Sequence, residues 1–270
     1  MTTLQPKAYD SVLGWFCCNA WFNRIHYMHS KERTRFYHTI NHVQELFESL
    51  DTLINEGGKV WTDVDWAVTA MATFFHDSIY DPKSGTNEED SALLWLEFCD
   101  GVGLKGVVKD TVRRYILETK THDVGGCGDE ILKFFIDSDM AVLGKKEEAY
   151  DHYAGLIRSE YVHIDRDVYC EKRAEVLEGF LKVESIFASD VVRGRLEGRA
   201  RGNIRREIES LRRKVIPRER EKRGEGEKEV GGREKEENTK KTFTLRLHWV
   251  LGVVGVGAVI TIFHRRRKQI

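Results

Sequence analysis

Three stretches of this 270-residue chain set imidazoles and carboxylates at spacings that allow chemistry. In RFYHTINHV, His38 and His42 stand four apart, so both can leave one helix face, as two metal ligands or a hydrogen-bonding pair would require. In FFHDSIYD, a bulky apolar run ends on His76 and Asp77. Burying an imidazole and a carboxylate there is costly unless something pairs with them, and a divalent cation would satisfy both. FFIDSDMAVLG repeats the arrangement, with Asp137 and Asp139 flanking a serine. Each stretch also has a plainer reading: core or capping roles for His38 and His42, a neutral His76 bonded to Asp77, and a helix-capping acid at 137 or 139. A second His-Asp pair, His122-Asp123, has no apolar helix directly ahead of it and a Gly-Gly behind it. Imidazole and carboxylate without thiolate suit Mn²⁺, Fe²⁺, Co²⁺, Ni²⁺, Mg²⁺ or Zn²⁺.

Such groups need a rigid frame, and the hydrophobic pattern predicts one made of helices. Val12, Trp15, Phe16, Trp21, Phe22 and Ile25 suggest a first helix; Val43, Leu46, Phe47, Leu50 and Ile54 form the stripe of a second, stopped at Gly57-Gly58. A capping signal at Thr62-Asp63-Val64-Asp65 opens a third, WAVTAMATFFHD, apolar on most sides and so expected at the centre of the core. A turn through Pro82 and Gly85 follows, then a second capping box, Thr86 to Glu89, ahead of SALLWLEF. Further helical patterns cover 106–121, 129–142, 146–161, 166–188 and 193–214, with no convincing strand and no internal repeat. The tryptophans at 15, 21, 61, 66 and 95 read as core, and His26, His29, His152 and His163 as surface or core-edge residues.

Only three prolines, 41% hydrophobic and 10% aromatic residues favour this all-α body over a disordered chain. The net charge of −1 hides a polarity: residues 1–192 hold 20 Lys+Arg against 33 Asp+Glu, and residues 193–270 hold 23 against 11. An acidic body repels a polyanion, so nucleic-acid binding is not expected. Five scattered cysteines without a CxxC argue against a disulfide framework or a zinc ribbon, and the first residues lack the pattern of a signal or transit peptide. The chain thus divides into a helical domain at 1–214, a charged linker at 215–241 and a segment at 242–270 containing LHWVLGVVGVGAVITIF. Those 17 residues, Leu247 to Phe263, would make a helix of about 25 Å, just able to span a bilayer with help from flanking arginines. A single transmembrane tail anchor with a basic tip is expected, with the body facing the cytosol. Basic flanks on both sides make the charge-bias rule nearly silent on orientation. A short span with a basic tip resembles anchors of the mitochondrial outer membrane or peroxisome at least as well as those of the endoplasmic reticulum.

The order His42, His76-Asp77, Asp139 resembles the HD-domain superfamily, and more closely its subgroup of predicted metal-dependent HD phosphohydrolases. The resembling stretches are RFYHTINHV, FFHDSIYDPKSGTNEEDSA, LETKTH, DSDMAVLG, YAGLIRSEY, YCEKRAEVLEGFL and EGRARGNIRREIESL, in order from about 33 to 211. The resemblance implies an all-α HD-domain helical bundle, with His42, His76, Asp77 and Asp139 as ligands of a divalent cation. It implies that His38, His122 and Asp137 serve a second metal, substrate phosphate or support of the ligands. Asp77 and Glu88 would orient the attacking water, although Glu88 equally suits a helix start. Arg35 and Arg158 would stabilise phosphate charge, while Arg173 and Arg201 read as structural.

The expected activity is hydrolysis of a phosphomonoester or phosphodiester, perhaps of a nucleotide, by a metal-activated water. HD folds also host di-iron oxygenases, which would need His38 and His122 as ligands, and a membrane-tethered scaffold without turnover is the non-enzyme alternative.

Overall fold

The computed structural model describes residues 19–31, 33–57, 60–124 and 126–215. They form nine α-helices and one 3₁₀ segment, and no strand occurs among the described residues. In chain order these are α1 (Asn19–Lys31), α2 (Ile40–Gly57), α3 (Asp63–Phe75), α4 (Asn87–Val102), α5 (Val107–Glu118), α6 (Glu130–Asp139), the 3₁₀ segment (Met140–Gly144), α7 (Glu147–Glu160), α8 (Arg166–Lys182) and α9 (Asp190–Val215). The expected all-α bundle is therefore present. The linker and apolar segment beyond residue 215 lie outside the described residues, within which no helix is long and apolar enough to cross a membrane.

The centre of the bundle is α3, as its all-round apolar sequence predicts. Thr62 caps it: the Thr62 hydroxyl accepts from the Asp65 N–H, and the Asp65 carboxylate accepts from the Thr62 N–H. Every residue from Val68 to Phe75 is buried, and α3 packs against α2, α4, α5 and α6. Burying side chains such as Phe75 is worth about 1.5–3 kcal/mol each, so α3 is held firmly where it ends, at His76. On α2, Val43, Leu46, Leu50 and Ile54 turn inward as one stripe.

Four local expectations are revised. The first helix runs on past Ile25 to Lys31, and residues 1–18 lie outside the described set. The capping box at Thr86 does not form, because the Thr86 hydroxyl bonds Asp90, the Thr86 N–H donates to Ser84 Oγ, and the Glu89 carboxylate pairs with Lys120. The helix expected over 166–188 stops at Lys182, where the Arg201 guanidinium donates to the carbonyls of Leu181, Val183 and Glu184 and satisfies the helix end. Finally, His29 is not at the surface: it is 1% exposed, with Nε2 donating to the Phe74 carbonyl.

Arg173 is structural, as expected. It is fully buried, bonded to Glu207 at 3.0 Å and to the Tyr153 hydroxyl at 3.5 Å, and it ties α8 to α9 and α7. Gly144 ends the 3₁₀ segment against α9. A Cβ there would sit 2.6 Å from the Leu196 Cβ and 3.1 Å from the Leu196 carbonyl oxygen, so only glycine allows the approach. Gly144→Ala should lower stability by about 1–3 kcal/mol, read from the denaturation midpoint, since helix backbone cannot move aside as a side-chain tip would.

Burial is the main influence on His29 and carries its pKa from 6.5 to about 3, the bond to Phe74 opposing it. Between those values the unfolded chain takes up a proton that the folded chain refuses, so His29 makes stability fall as pH drops from 6.5 toward 3. His29→Gln keeps a donor for the Phe74 carbonyl but has no such proton to take. Between pH 7 and pH 5 the wild type should lose about 2 kcal/mol more than this variant in urea titrations; equal losses would refute a neutral buried His29.

Candidate metal centre

The central donors arrive from three elements. His42 projects from the first turn of α2, His76 caps the C-terminal end of α3 with Asp77 following, and Asp139 is the last residue of α6. His42, His76 and Asp77 form a group that could hold a metal ion, each offering one ligand atom. His42 Nε2 lies 3.4 Å from His76 Nε2, and Asp77 Oδ2 lies 3.1 Å from His76 Nε2 and 3.7 Å from His42 Nε2. Asp139 joins them, with Oδ1 3.0 Å from His42 Nε2 and 3.7 Å from His76 Nε2.

The donor set suits a cation. Ligands about 2.1 Å from a metal stand roughly 3.0–3.4 Å from their neighbours, close to the separations found here. The other nitrogen of His76, Nδ1, faces the Thr73 carbonyl at 2.9 Å, and a carbonyl only accepts, so Nδ1 carries the proton and neutral His76 aims the Nε2 lone pair at the group. Without a cation, burial pulls His76 down, but the carboxylates of Asp77 and Asp139 outweigh it and carry the ring to about 9. Against the opposing effect of burial, the neighbouring imidazoles hold Asp77 and Asp139 well below the usual carboxylate range.

A second layer orients these donors. His122 Nε2 sits 2.9 Å from Asp139 Oδ2, the oxygen not used toward His42. Its backbone, at φ 51°, is the only left-handed non-glycine among the described residues, a conformation that costs about 1–3 kcal/mol and persists where surrounding contacts impose it. Arg35 is buried and donates to the backbone oxygens of Asp77, Ser78 and His38, so it holds the chain at His76-Asp77 in place.

Glu160, at the end of α7, carries no signal in the local sequence, where Arg158 is the residue that stands out. One Glu160 oxygen accepts the backbone N–H groups of Phe36, Tyr37 and His38, and the other accepts from His38 Nδ1 at 2.7 Å and the Tyr80 hydroxyl at 2.8 Å. Burial would raise its pKa, yet His38 and these donors bring it down to about 2. In turn, burial would lower His38, but Glu160 and Asp77 raise it. His38 therefore precedes α2 and belongs to Glu160, rather than sharing a helix face with His42.

Two other expected residues are not brought to the group. Asp137 turns the opposite way and accepts from the N–H groups of Ala188 and Ser189 and from the Ser189 hydroxyl, closing the loop before α9. Arg158 donates to the carbonyls of Tyr161 and Ile164 and lies over the Tyr169 ring, completing the end of α7.

Beside the donors opens a cleft of about 420 Å³, counting the part continuous with solvent. Tyr37, Tyr80 and Tyr153 line it, as do His38, His122, Glu88 and Thr119. Glu88 is nearly buried, and burial raises its pKa in spite of Lys120 3.9 Å away.

Equilibrium dialysis with Mn²⁺ tests the assignment. His76→Ala and Asp77→Ala should abolish tight binding, and His122→Phe should weaken it about 10- to 100-fold by releasing Asp139. Asp137→Asn should leave it within about threefold while lowering stability through the lost loop closure. Metal binding by the His76→Ala/Asp77→Ala double variant equal to wild type would remove the centre.

No protein-family model matches this chain, and neither a curated protein nor a solved structure does, so the centre stands on its own geometry.

Proposed function

We propose that this protein is a metal-dependent phosphohydrolase of the HD type, cleaving a phosphomonoester or phosphodiester, nucleotides among the candidates. The carrying observation is the convergence of His42, His76 and Asp77, with Asp139 beside them, at the edge of a cleft. The all-α bundle and the resemblance of the motif order support the same reading. A cation held there would acidify a water and polarise a phosphoryl oxygen.

The chain's own groups then have distinct tasks. His42, His76, Asp77 and Asp139 would hold the cation, and His122 keeps the Asp139 carboxylate oriented. Asp77, 16% exposed through its side chain, orients the attacking water. Glu88 lines the cleft, and its carboxyl, raised by burial, takes that water's proton at Oε. The water oxygen bonds phosphorus as the ester oxygen leaves. Leu247 to Phe263, joined through the charged linker, holds the body at a membrane; the apolar run supports this.

Full-length protein in detergent, loaded with Mn²⁺ and assayed on p-nitrophenyl and bis(p-nitrophenyl) phosphate, provides the test. Turnover that falls to background in the His76→Ala/Asp77→Ala variant is expected. Metal-loaded wild type without turnover on any phosphate ester would refute the phosphohydrolase reading. An iron-to-protein ratio near two would favour the oxygenase, although His38 is engaged by Glu160 instead of joining the donors.

A further inference from the structure

A phosphate ester needs a partner for the phosphoryl charge besides the cation, and neither arginine expected for that task lines the cleft. Arg35 is engaged by the Asp77 and Ser78 backbone oxygens, and Arg158 closes the end of α7. Among the described residues lining the cleft there is no lysine or arginine. The basic side chains that do line it are imidazoles, and of these His122 faces Asp139.

His38 is differently placed. Its Nδ1 is held at 2.7 Å by Glu160, its ring is stacked on Tyr80 with centroids 4.2 Å apart, and Glu160 also grips its backbone N–H. The Nδ1 bond, the stack on one ring face and the backbone bond thus fix the orientation of a ring that lines the cleft, and Nε2 is the nitrogen left to meet a ligand there. Its ring centroid is 5.8 Å from that of His42, so it stands next to the metal donors.

The rest of the cleft sets a limit. It holds the carboxylates of Asp77, Asp139 and Glu88, and Lys120, the nearest amine to Glu88, is already engaged by Glu89 and the Gly85 carbonyl. A cation and one imidazole can balance one phosphoryl group. A second would meet carboxylates and tyrosine rings with no positive partner, an uncompensated charge in a partly desolvated site.

We propose that the cleft is a monophosphate site, in which His38, braced by Glu160, hydrogen-bonds the single phosphoryl group of the substrate through Nε2, and nucleoside di- and triphosphates are turned away. This rests on the phosphohydrolase reading and narrows it to esters whose remainder is neutral or cationic, facing the tyrosines and Glu88. His38 contacts substrate, and Glu160 is a positioning residue.

The test uses the full-length chain in detergent at fixed free Mn²⁺, with calorimetric binding of inorganic phosphate, AMP and ADP alongside metal content. His38→Asn places an amide where Nδ1 stood, so it keeps the donor to Glu160 and removes only the cleft-facing nitrogen. The expected result is unchanged metal content, phosphate and AMP binding weakened at least about tenfold in His38→Asn, and AMP bound at least about tenfold more tightly than ADP by wild type. Glu160→Gln, folded by circular dichroism, should show an intermediate loss of phosphate affinity, with KM for p-nitrophenyl phosphate rising more than kcat falls. Phosphate binding indifferent to His38→Asn, loss of metal in that variant, or ADP bound as tightly as AMP would overturn the proposal while leaving the phosphohydrolase reading standing. Metal-loaded wild type that binds no phosphate would overturn both.

Discussion

Two imidazole nitrogens held 3.4 Å apart, each with a carboxylate within about the same distance, are the arrangement on which the rest of this molecule turns. Four such groups do not gather inside a protein unaided, because each carries a desolvation cost that only paired charges or a cation can offset. The surroundings answer it by fixing orientation from behind. Thr73 sets the tautomer of His76, His122 occupies the far oxygen of Asp139, and Arg35 fastens the backbone after His76.

That fixing needs rigid platforms, and these follow from where the apolar side chains go. Because α3 is buried along its whole second half, its last residue cannot drift, and His76 inherits that immobility. The segment before α2 buries Tyr37 but forms no helix, and Glu160 fixes it by gathering three backbone N–H groups and two side chains on one carboxylate. A helix holds one side of the centre through hydrophobic packing, and a single buried anion holds the other through hydrogen bonds.

Much of this was legible in the sequence where local rules decide. The cap at Thr62, the α2 stripe and the apolar run ending in His76-Asp77 are short-range patterns, and the structure reproduces them. The residue types alone do not choose between Asp137 and Asp139, and helix geometry explains the outcome: residues two apart are about 200° apart around a helix, so if one faces the donors the other faces away. Arg158 and Glu160 were harder, since the first serves a helix end and the second reaches residues 122 to 124 positions earlier, a pairing without local signature. His38 looked like a helical partner of His42 because the four-residue spacing was right, but the helix begins only at Ile40.

The long reach of Glu160 also has a temporal side. All four central donors lie between residues 42 and 139, so a ribosome delivers them before it delivers α7. Until Glu160 emerges, the segment carrying His38 has only the Arg35 bonds to the Asp77 and Ser78 carbonyls and the stack of His38 on Tyr80 to hold it against the end of α3, and its own N–H groups lack their carboxylate. A nascent chain therefore owns the ligands before it owns the brace, and the order of synthesis makes the cleft wall beside the donors a late-closing part of the domain.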